Sequence, residues 1–403
     1  MIIQAIILAA GGSSRFWPLN KKHKSLFKVM GKPLIFYTLL NLKKAGIKEA
    51  VIVQGKKRDI EKELKNYYLP GFKIKYVVQR IPKGTGHAII TAKKFLKEKI
   101  LILNGDDFYG LEDIKKCLTK FPSILVKEFK KPLLFGTILP EKNFVKKIVE
   151  RSDNPPSNLV NAGCYFIPKS ILKEKIEKSP RGEYEIVDYI NYLAKKEKIF
   201  FFKAKNWFPL NYTWELLDTI EYLLKNFKSE IKGKVEKNCQ IKLPVIIGKG
   251  TDIKNGSYVE GPVFIGKNCK IGPNCHIKPY TIIEDNCIIE ESVEIKNSII
   301  SQGSRICPLS YIGDSIIGEN CNLSAGTILA NLRFDGKNIY SVIKDKKIDT
   351  QRKKFGAVLG SKVKTGINVF IMPGVLVEAN SIIAPHSLIK ENIFNNKDFS
   401  TKK

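Results

Sequence analysis

Between residues 235 and 295 every sixth position is Val or Ile: Val235, Ile241, Ile247, Ile253, Val259, Ile265, Ile271, Ile277, Ile283, Ile289 and Ile295. A helix repeats its apolar face every 3.6 residues and a half-buried strand every two. A period of six fits neither. It fits a coil of three short flat faces, each with one inward aliphatic, which is the hexapeptide signature of a β-helix. The fourth residue after each aliphatic is small or β-branched (Cys239, Val245, Thr251, Ser257, Val263, Cys269, Cys275, Thr281, Cys287, Val293, Ile299) and is expected to point inward beside it. The register is lost near 301–312 and resumes at Ile317 and Leu323. It breaks again for a polar excursion at about 332–357, then resumes at Leu359, Ile371, Val377, Ile383 and Ile389. Insertions in such a coil leave as external loops. Residues 333–355, rich in Lys and Asp, therefore read either as a ligand-covering arm or as a disordered loop.

The first 226 residues carry another pattern. Residues 2–8, 50–54, 74–79, 100–104, 133–138 and 162–167 read as strands, and 33–45, 58–66, 86–95, 183–195 and 214–227 as helices. Apolar runs alternating with amphipathic stretches predict an α/β fold with a mixed, mostly parallel Rossmann-like sheet and sites at the carboxyl ends of its strands. The expected organisation is an α/β domain over 1–226, a connector over 227–234, a β-helix over 235–391 and a polar tail over 392–403. The opening run is too short to span a bilayer and lacks a basic leader, so it reads as a buried strand of a cytoplasmic protein with no membrane partner.

Composition narrows the picture slightly. With 403 residues there is material for two cores. The formal charge of +30 comes mostly from Lys spread along the chain. Such an excess either draws polyanions, such as nucleotides, sugar phosphates and coenzyme A, or is a solvated coat. Aromatics do not interleave with a compact basic patch, so nucleic acid is not the expected partner. The eight cysteines show no zinc-like spacing. Four occupy inward slots of the hexads, and Cys321 does so in the later register, where they serve as small buried hydrophobes.

Candidate chemistry gathers where the first strand ends. Leu8, Ala9, Ala10, Gly11 and Gly12 form a small-residue loop, followed by Ser13, Ser14 and Arg15. Such a loop lets backbone amides approach phosphate oxygens, and a following Arg can bind charge on a phosphoryl group. Lys24 supplies a second cation, ahead of Gly31-Lys32-Pro33. At the end of a strongly apolar strand stands Asn104-Gly105-Asp106-Asp107, with a carboxylate placed to hold Mg²⁺ on a triphosphate.

This segment resembles the signature of the sugar-1-phosphate nucleotidyltransferases, LxxGxGTRxxPLT followed by PKxLxxxxGKP. The fold implied is of the nucleotide-diphospho-sugar transferase type. Members transfer a nucleotidyl group from an NTP to a sugar-1-phosphate and release pyrophosphate. By matching position the resemblance makes Arg15, Lys24 and Asp106 catalytic, and Leu8, Ala9, Ala10, Gly11 and Gly12 nucleotide-binding. Gln79, Gly84 and Thr85 match a segment that reads a pyrimidine edge, which implies UTP or dTTP. Gly136, Glu150 and Asn161 match sugar-phosphate positions, with glucose-1-phosphate or N-acetylglucosamine-1-phosphate implied. Asp106 and Asn211 would hold Mg²⁺. Ser13-Ser14 stands where Gly-Thr is usual, His23 where Pro is usual, and Arg151-Ser152 where Lys-Pro is usual. A glycine at 13 would permit positive φ, which Ser does not readily adopt.

With its second half included, nearly the whole chain resembles the bifunctional uridylyltransferase/acetyltransferases of the archaeal type, in which the β-helix is left-handed and trimerises. In those proteins it transfers acetyl from acetyl-CoA to an amino-sugar phosphate. Tyr311, Asn322, Ala325, Asn331 and Lys337 match binding positions. The family's histidine base, three residues before the Tyr, is here Pro308, which cannot accept a proton. The β-helix therefore reads first as structural, with acetyl transfer as the second reading. A scaffold or regulatory subunit of the same architecture is the alternative to an enzyme; it predicts loss of the cations and carboxylate that this chain retains.

Overall fold

The structure is a computed structural model and describes residues 3–394 except 131, 133, 134, 151, 174, 181 and 226. The chain forms two compact units. One comprises residues 1–12, 25–27 and 33–210; the other comprises 13–24, 28–32 and 211–403.

The first unit is built on a nine-stranded sheet. Its strands are β1 (Ile3–Ala9), β2 (Glu49–Gln54), β3 (Lys73–Val78), β4 (Lys99–Asn104), β6 (Ser123–Glu128), β7 (Thr137–Glu141), β8 (Phe144–Val149), β9 (Leu159–Pro168) and β10 (Ile199–Lys203). β5 (Asp107–Tyr109) pairs outside this sheet with β11 (Trp207–Pro209). The sheet order is β3-β2-β1-β4-β9-β6-β10-β8-β7. The first four strands are mutually parallel, and β9 joins β4 antiparallel. Helices α1 (Leu34–Lys44), α2 (Asp59–Leu64), α3 (Thr85–Ala92), α4 (Leu111–Cys117) and α5 (Ile186–Lys196) complete the unit.

Strand β1 shows why its sequence is a continuous apolar run. Ile6 and Leu8 pack with Ala88, Ile89 and Ile190 on one side of the sheet. Ala5, Ile7 and Ala9 pack with Leu39, Leu42 and Ile114 on the other. Alternate side chains thus enter two different cores, as expected of a parallel strand covered on both faces. The strand expected at 133–138 is displaced to Thr137–Glu141, and its positions 133 and 134 lie outside the described residues.

In the second unit, α6 (Leu216–Lys225) precedes three eight-stranded parallel sheets of two- to three-residue strands. Each strand pairs with the third one after it, so Ile253 lies beside Ile271, and Ile271 beside Ile289. Three faces per coil is the left-handed parallel β-helix of hexapeptide repeats implied by the sequence. The loss of register has a simple cause. Ile283 pairs with Ile300 and Ile300 with Ile317, so two corners, between 295 and 300 and between 312 and 317, hold one residue fewer. The inward slot after Ile295 is consequently filled by fully buried Ser298, whose hydroxyl donates to Lys296 O at 2.7 Å, and not by Ile299. Ile299 is buried too, but on the outer side of its strand, while Ile300 enters the prism.

The polar excursion is an ordered β-hairpin, Tyr340–Ile343 against Lys346–Asp349, and not a disordered loop. Ser341 Oγ donates to Gly374 O at 2.8 Å and Asn392 Nδ2 to Val342 O at 2.8 Å. Of the expected tail, Ile393 bridges to Val377 and Phe394 stacks on Trp17; residues 395–403 lie outside the described residues.

Candidate active site

The chain runs from β1 to β2 and β3 on one side, then returns to place β4 on the other. Ligands of such sheets bind beyond the carboxyl ends of the strands where the order reverses. Leu8 is the register partner of Asn104, and Gly105 N donates to Leu8 O at 2.8 Å. A Cβ at Gly105 would lie 2.5 Å from Ala9 Cβ, so only glycine allows this approach. The fold thereby brings the Leu8–Gly12 loop and the Asp106 turn together. Leu8 and Ala9 are buried, while Gly11 and Gly12 are exposed with open space around them. Asp107 is more than a turn residue: its Oδ2 accepts from Trp207 Nε1 at 3.1 Å. Tyr109 OH donates to Ala162 O at 2.9 Å, and burial raises its phenol well above the ordinary value.

Gln79, Gly84 and Thr85 also come together, around the start of α3. Gln79 Nε2 lies 2.8 Å from His87 Nδ1 and donates to Gly84 O at 3.3 Å. Gly84 has φ +102°, and a Cβ there would lie 2.4 Å from Tyr184 O. Thr85 Oγ1 accepts from Ile186 N at 3.0 Å. With the amide nitrogen of Gln79 engaged twice, its oxygen keeps the capacity to accept a hydrogen bond. His87 was not a sequence candidate; the segment GTGHA is visible, but nothing local shows that the ring reaches Gln79.

The third set closes in the same way. A Cβ at Gly136 would lie 3.0 Å from Glu150 Oε1, and Asn161 N donates to Gly136 O at 2.8 Å. Asn161 Nδ2 donates to Tyr165 OH at 2.7 Å, and its Oδ1 accepts from Gly163 N at 3.2 Å. Burial pushes the Tyr165 phenol upward, so it stays a neutral partner. At Gly163, with φ +65°, a Cβ would meet Asn104 Nδ2, which ties this set to the Asp106 turn. Arg151 lies outside the described residues.

Arg15, Lys24 and Asn211 belong to the second unit. Ser13 has φ −95°, so the position does not require the conformational freedom of glycine. Its hydroxyl accepts from Lys24 N at 3.0 Å. That one bond joins the short turn carrying exposed Arg15, residues Ser14–Phe16, to Lys24, and buried Phe16 anchors it. Asn211 N and Tyr212 N both donate to the Glu215 carboxylate, and Tyr212 stacks on Trp214 with centroids 4.6 Å apart. The turn bearing Asn211 is therefore fixed. Among the described residues no three or more His, Cys, Asp or Glu side chains converge as a metal cluster. A carboxylate and an amide oxygen nonetheless fit a hard ion such as Mg²⁺, which takes few protein ligands beside water and phosphate oxygens.

In the β-helix, Asn331 Nδ2 donates to Tyr311 OH at 3.2 Å and to Asp314 Oδ2 at 2.6 Å, and Asn297 Nδ2 donates to Asp314 Oδ1 at 2.6 Å. Tyr311 and Asn331 are thus brought together. Asn322 Oδ1 lies 3.9 Å from Cys307 Sγ, Ala325 O accepts from Asn368 N, and Lys337 N donates to Asp335. Pro308 O accepts from Gly326 N at 2.9 Å. Burial raises the Tyr311 phenol above its usual value, so it is no base near neutral pH.

A phosphate-type glycine loop and a carboxylate turn at the switch point of a doubly covered sheet define a nucleotide-binding α/β protein, here joined to a β-helix. Comparison places it further. The nucleotidyl transferase family model matches residues 4–225, and a second model, the GMPPB C-terminal domain, matches 259–399. The bifunctional protein GlmU of Methanocaldococcus jannaschii is 39% identical over 399 residues, covering 98% of this chain and 96% of the relative. A bifunctional sugar-1-phosphate nucleotidylyltransferase/acetyltransferase of Sulfurisphaera tokodaii is 40% identical over 402 residues, covering 97% and 98%. The chain belongs to the nucleotidyl transferase family, in its two-domain form with a C-terminal β-helix. Among solved structures, a putative glucose-1-phosphate thymidylyltransferase from Bacillus anthracis superposes with a TM-score of 0.51 at 22% identity, covering 57% of this chain and 97% of that one, which supports the fold of the first unit.

Proposed function

We propose that the chain transfers a nucleotidyl group from UTP or dTTP to glucose-1-phosphate or N-acetylglucosamine-1-phosphate and releases pyrophosphate. The carrying observation is the convergence of the Leu8–Gly12 loop on the Asp106 turn at the switch point. The names of the relatives support the same activity. Arg15 and Lys24 would neutralise the triphosphate, and exposed loop amides would hold its oxygens. Mg²⁺ held by Asp106 and Asn211 would supply further charge neutralisation. The sugar-phosphate oxygen attacks the α-phosphorus in line, and pyrophosphate leaves. No general base is needed, because the attacking oxygen is already anionic. Gly136, Glu150 and Asn161 would orient the sugar. The Gln79 oxygen is suited to accept from the imide N–H of uracil or thymine; the corresponding nitrogen of cytosine has no proton to give. Pyrophosphate release, measured for each NTP with each sugar phosphate, tests the reading; no release with any pair would sink it.

For the β-helix we propose a structural role first, as the surface through which the chain forms a homotrimer. Phe370 and Leu388, register partners on one face, are half-exposed and support such an association. A light-scattering mass of a single chain would contradict it. Acetyl transfer from acetyl-CoA to an amino-sugar phosphate is the second reading, supported by the name of the Sulfurisphaera tokodaii relative, which includes an acetyltransferase. Position 308 offers no proton acceptor and Tyr311 is a poor one, so coenzyme A release with glucosamine-1-phosphate should be slow. Pro308→His is expected to raise it about tenfold or more, within the usual contribution of general-base catalysis. Equal rates for both proteins would remove 308 from the account.

A further inference from the structure

The hairpin on the β-helix ends in a two-residue turn, with Ile343 opposite Lys346 and both Lys344 and Asp345 at positive φ, 49° and 60°. This is the type I′ geometry that suits the twist of paired strands, although Lys is an unusual occupant of a left-handed position. The turn presents Lys344 rigidly, because the hairpin is bonded down at Ser341 and Val342. Lys344 Nζ donates to Ser14 Oγ at 3.1 Å, across 330 residues of sequence. Ser14 is the neighbour of Arg15 in the loop that follows Gly12, and both partners lie in the same compact unit. Trp17, at the other end of the same turn, stacks on Phe394 with ring centroids 4.6 Å apart and planes 13° apart.

We propose that Lys344 is a positioning residue for nucleotidyl transfer: the β-helix arm bonds the Ser14–Arg15 turn, holds Arg15 in place and adds positive charge beside it for the NTP. An ammonium has three donors, and the bond to Ser14 uses one. This inference rests on the nucleotidyltransferase reading above.

The experiment uses the full chain and compares wild type, Lys344→Ala, Lys344→Gln, Lys344→Arg, Ser14→Ala and the Ser14→Ala/Lys344→Ala pair, with Lys346→Ala as a hairpin control. For Lys344→Ala, kcat/KM for the NTP should fall about tenfold while KM for the sugar phosphate stays within about twofold. Lys344→Arg should restore most of the loss, whereas Lys344→Gln, which keeps a donor without the charge, should restore little. The double variant should lose no more than the worse single variant, as expected of coupled residues. Lys346→Ala should behave as wild type. Lys344→Ala activity within twofold of wild type, additive losses, or an equal loss in Lys346→Ala would overturn the proposal while leaving nucleotidyl transfer standing. A wild-type protein that releases no pyrophosphate would defeat both.

Discussion

A serine and a glutamate show how much single residues decide here. Ser13 departs from the family glycine, yet at φ −95° it adopts an ordinary conformation and uses its hydroxyl to tie Lys24 to the turn carrying Arg15. The sequence exposes the departure but not the bond, because the acceptor and donor are eleven positions apart. Arg15 and Lys24 themselves were legible, since cations at fixed spacing after a small-residue loop have a local signature. Removing either, as Arg15→Ala or Lys24→Ala, should lower kcat by about 10²–10³ with folding intact, in line with losing one preorganised charge in a transition state. Steady-state pyrophosphate release checks this, and a loss below threefold would take that residue out of the mechanism. Glu284 is the residue nothing in the sequence marked. It follows an inward Ile, is 3% exposed, and accepts from Gly31 N at 2.8 Å, while its Oε1 is buried with no hydrogen-bond partner among the described residues. Burial raises its carboxyl to about 7; Asp285 pushes the same way, and the Gly31 and Met30 amides and Lys28 pull against it. The folded state therefore holds this proton more tightly than the unfolded state. Its contribution to stability is full below about pH 4.5 and declines as pH rises through 7. Glu284→Gln should stabilise the protein at pH 8 by about 2 kcal/mol and change little at pH 5, as read by denaturant melts. Destabilisation at pH 8 would show that the charged form is the one the site prefers.

At the scale of elements, legibility followed periodicity. The hexads were readable because each inward aliphatic is separately exposed to the same selection by a narrow prism. Ile277 is fully buried between Val259 and Ile295 of the neighbouring coils. Ile277→Ala should cost about 2–5 kcal/mol, the range for large-to-small changes in packed cores. A cost under 1 kcal/mol in an equilibrium melt would mean that the coil relaxes into the gap. The corners repeat too: Asn268, Asn274, Asn286, Asn320, Asn368 and Asn380 all sit at positive φ just before an inward slot. Asn tolerates this conformation better than most residues. Two five-residue corners hid the register between 295 and 317, because deleting one residue from a corner shifts the pattern without harming the coil. The α/β half was read less completely. Strands β8 and β10 carry Lys and aromatic residues in place of a clean apolar alternation, β6 is a six-residue strand with only a four-residue buried run, and α4 is only seven residues long. The hairpin at 340–349 was visible only as a break in the hexads, since its ordering comes from Gly374 and Asn392, which are distant in sequence.

For the whole molecule, the division of the chain matters more than its length. Residues 13–24 and 28–32, which include Arg15 and Lys24, belong to the same compact unit as the β-helix, although they interrupt the α/β half in sequence. Contacts such as Lys344 to Ser14 and Glu284 to Gly31 explain that membership. No linear reading could have found it, because topology and not local pattern decides which segments meet. The formal charge of +30 is consistent with substrates that are all anions, and no helix among the described residues is long and apolar enough to cross a membrane. The six-residue repeat that dominates the sequence carries an arm bonded to Ser14, the neighbour of Arg15, while the position of the family's histidine base is held by Pro308. The most direct test is pyrophosphate release by the purified full chain with Mg²⁺, across UTP, dTTP, CTP, GTP and ATP, each with glucose-1-, N-acetylglucosamine-1- and mannose-1-phosphate. The account predicts release with UTP or dTTP and a glucose-type sugar phosphate, abolished by Asp106→Asn. Absence of release with every pair, or release unaffected by Asp106→Asn, would contradict it.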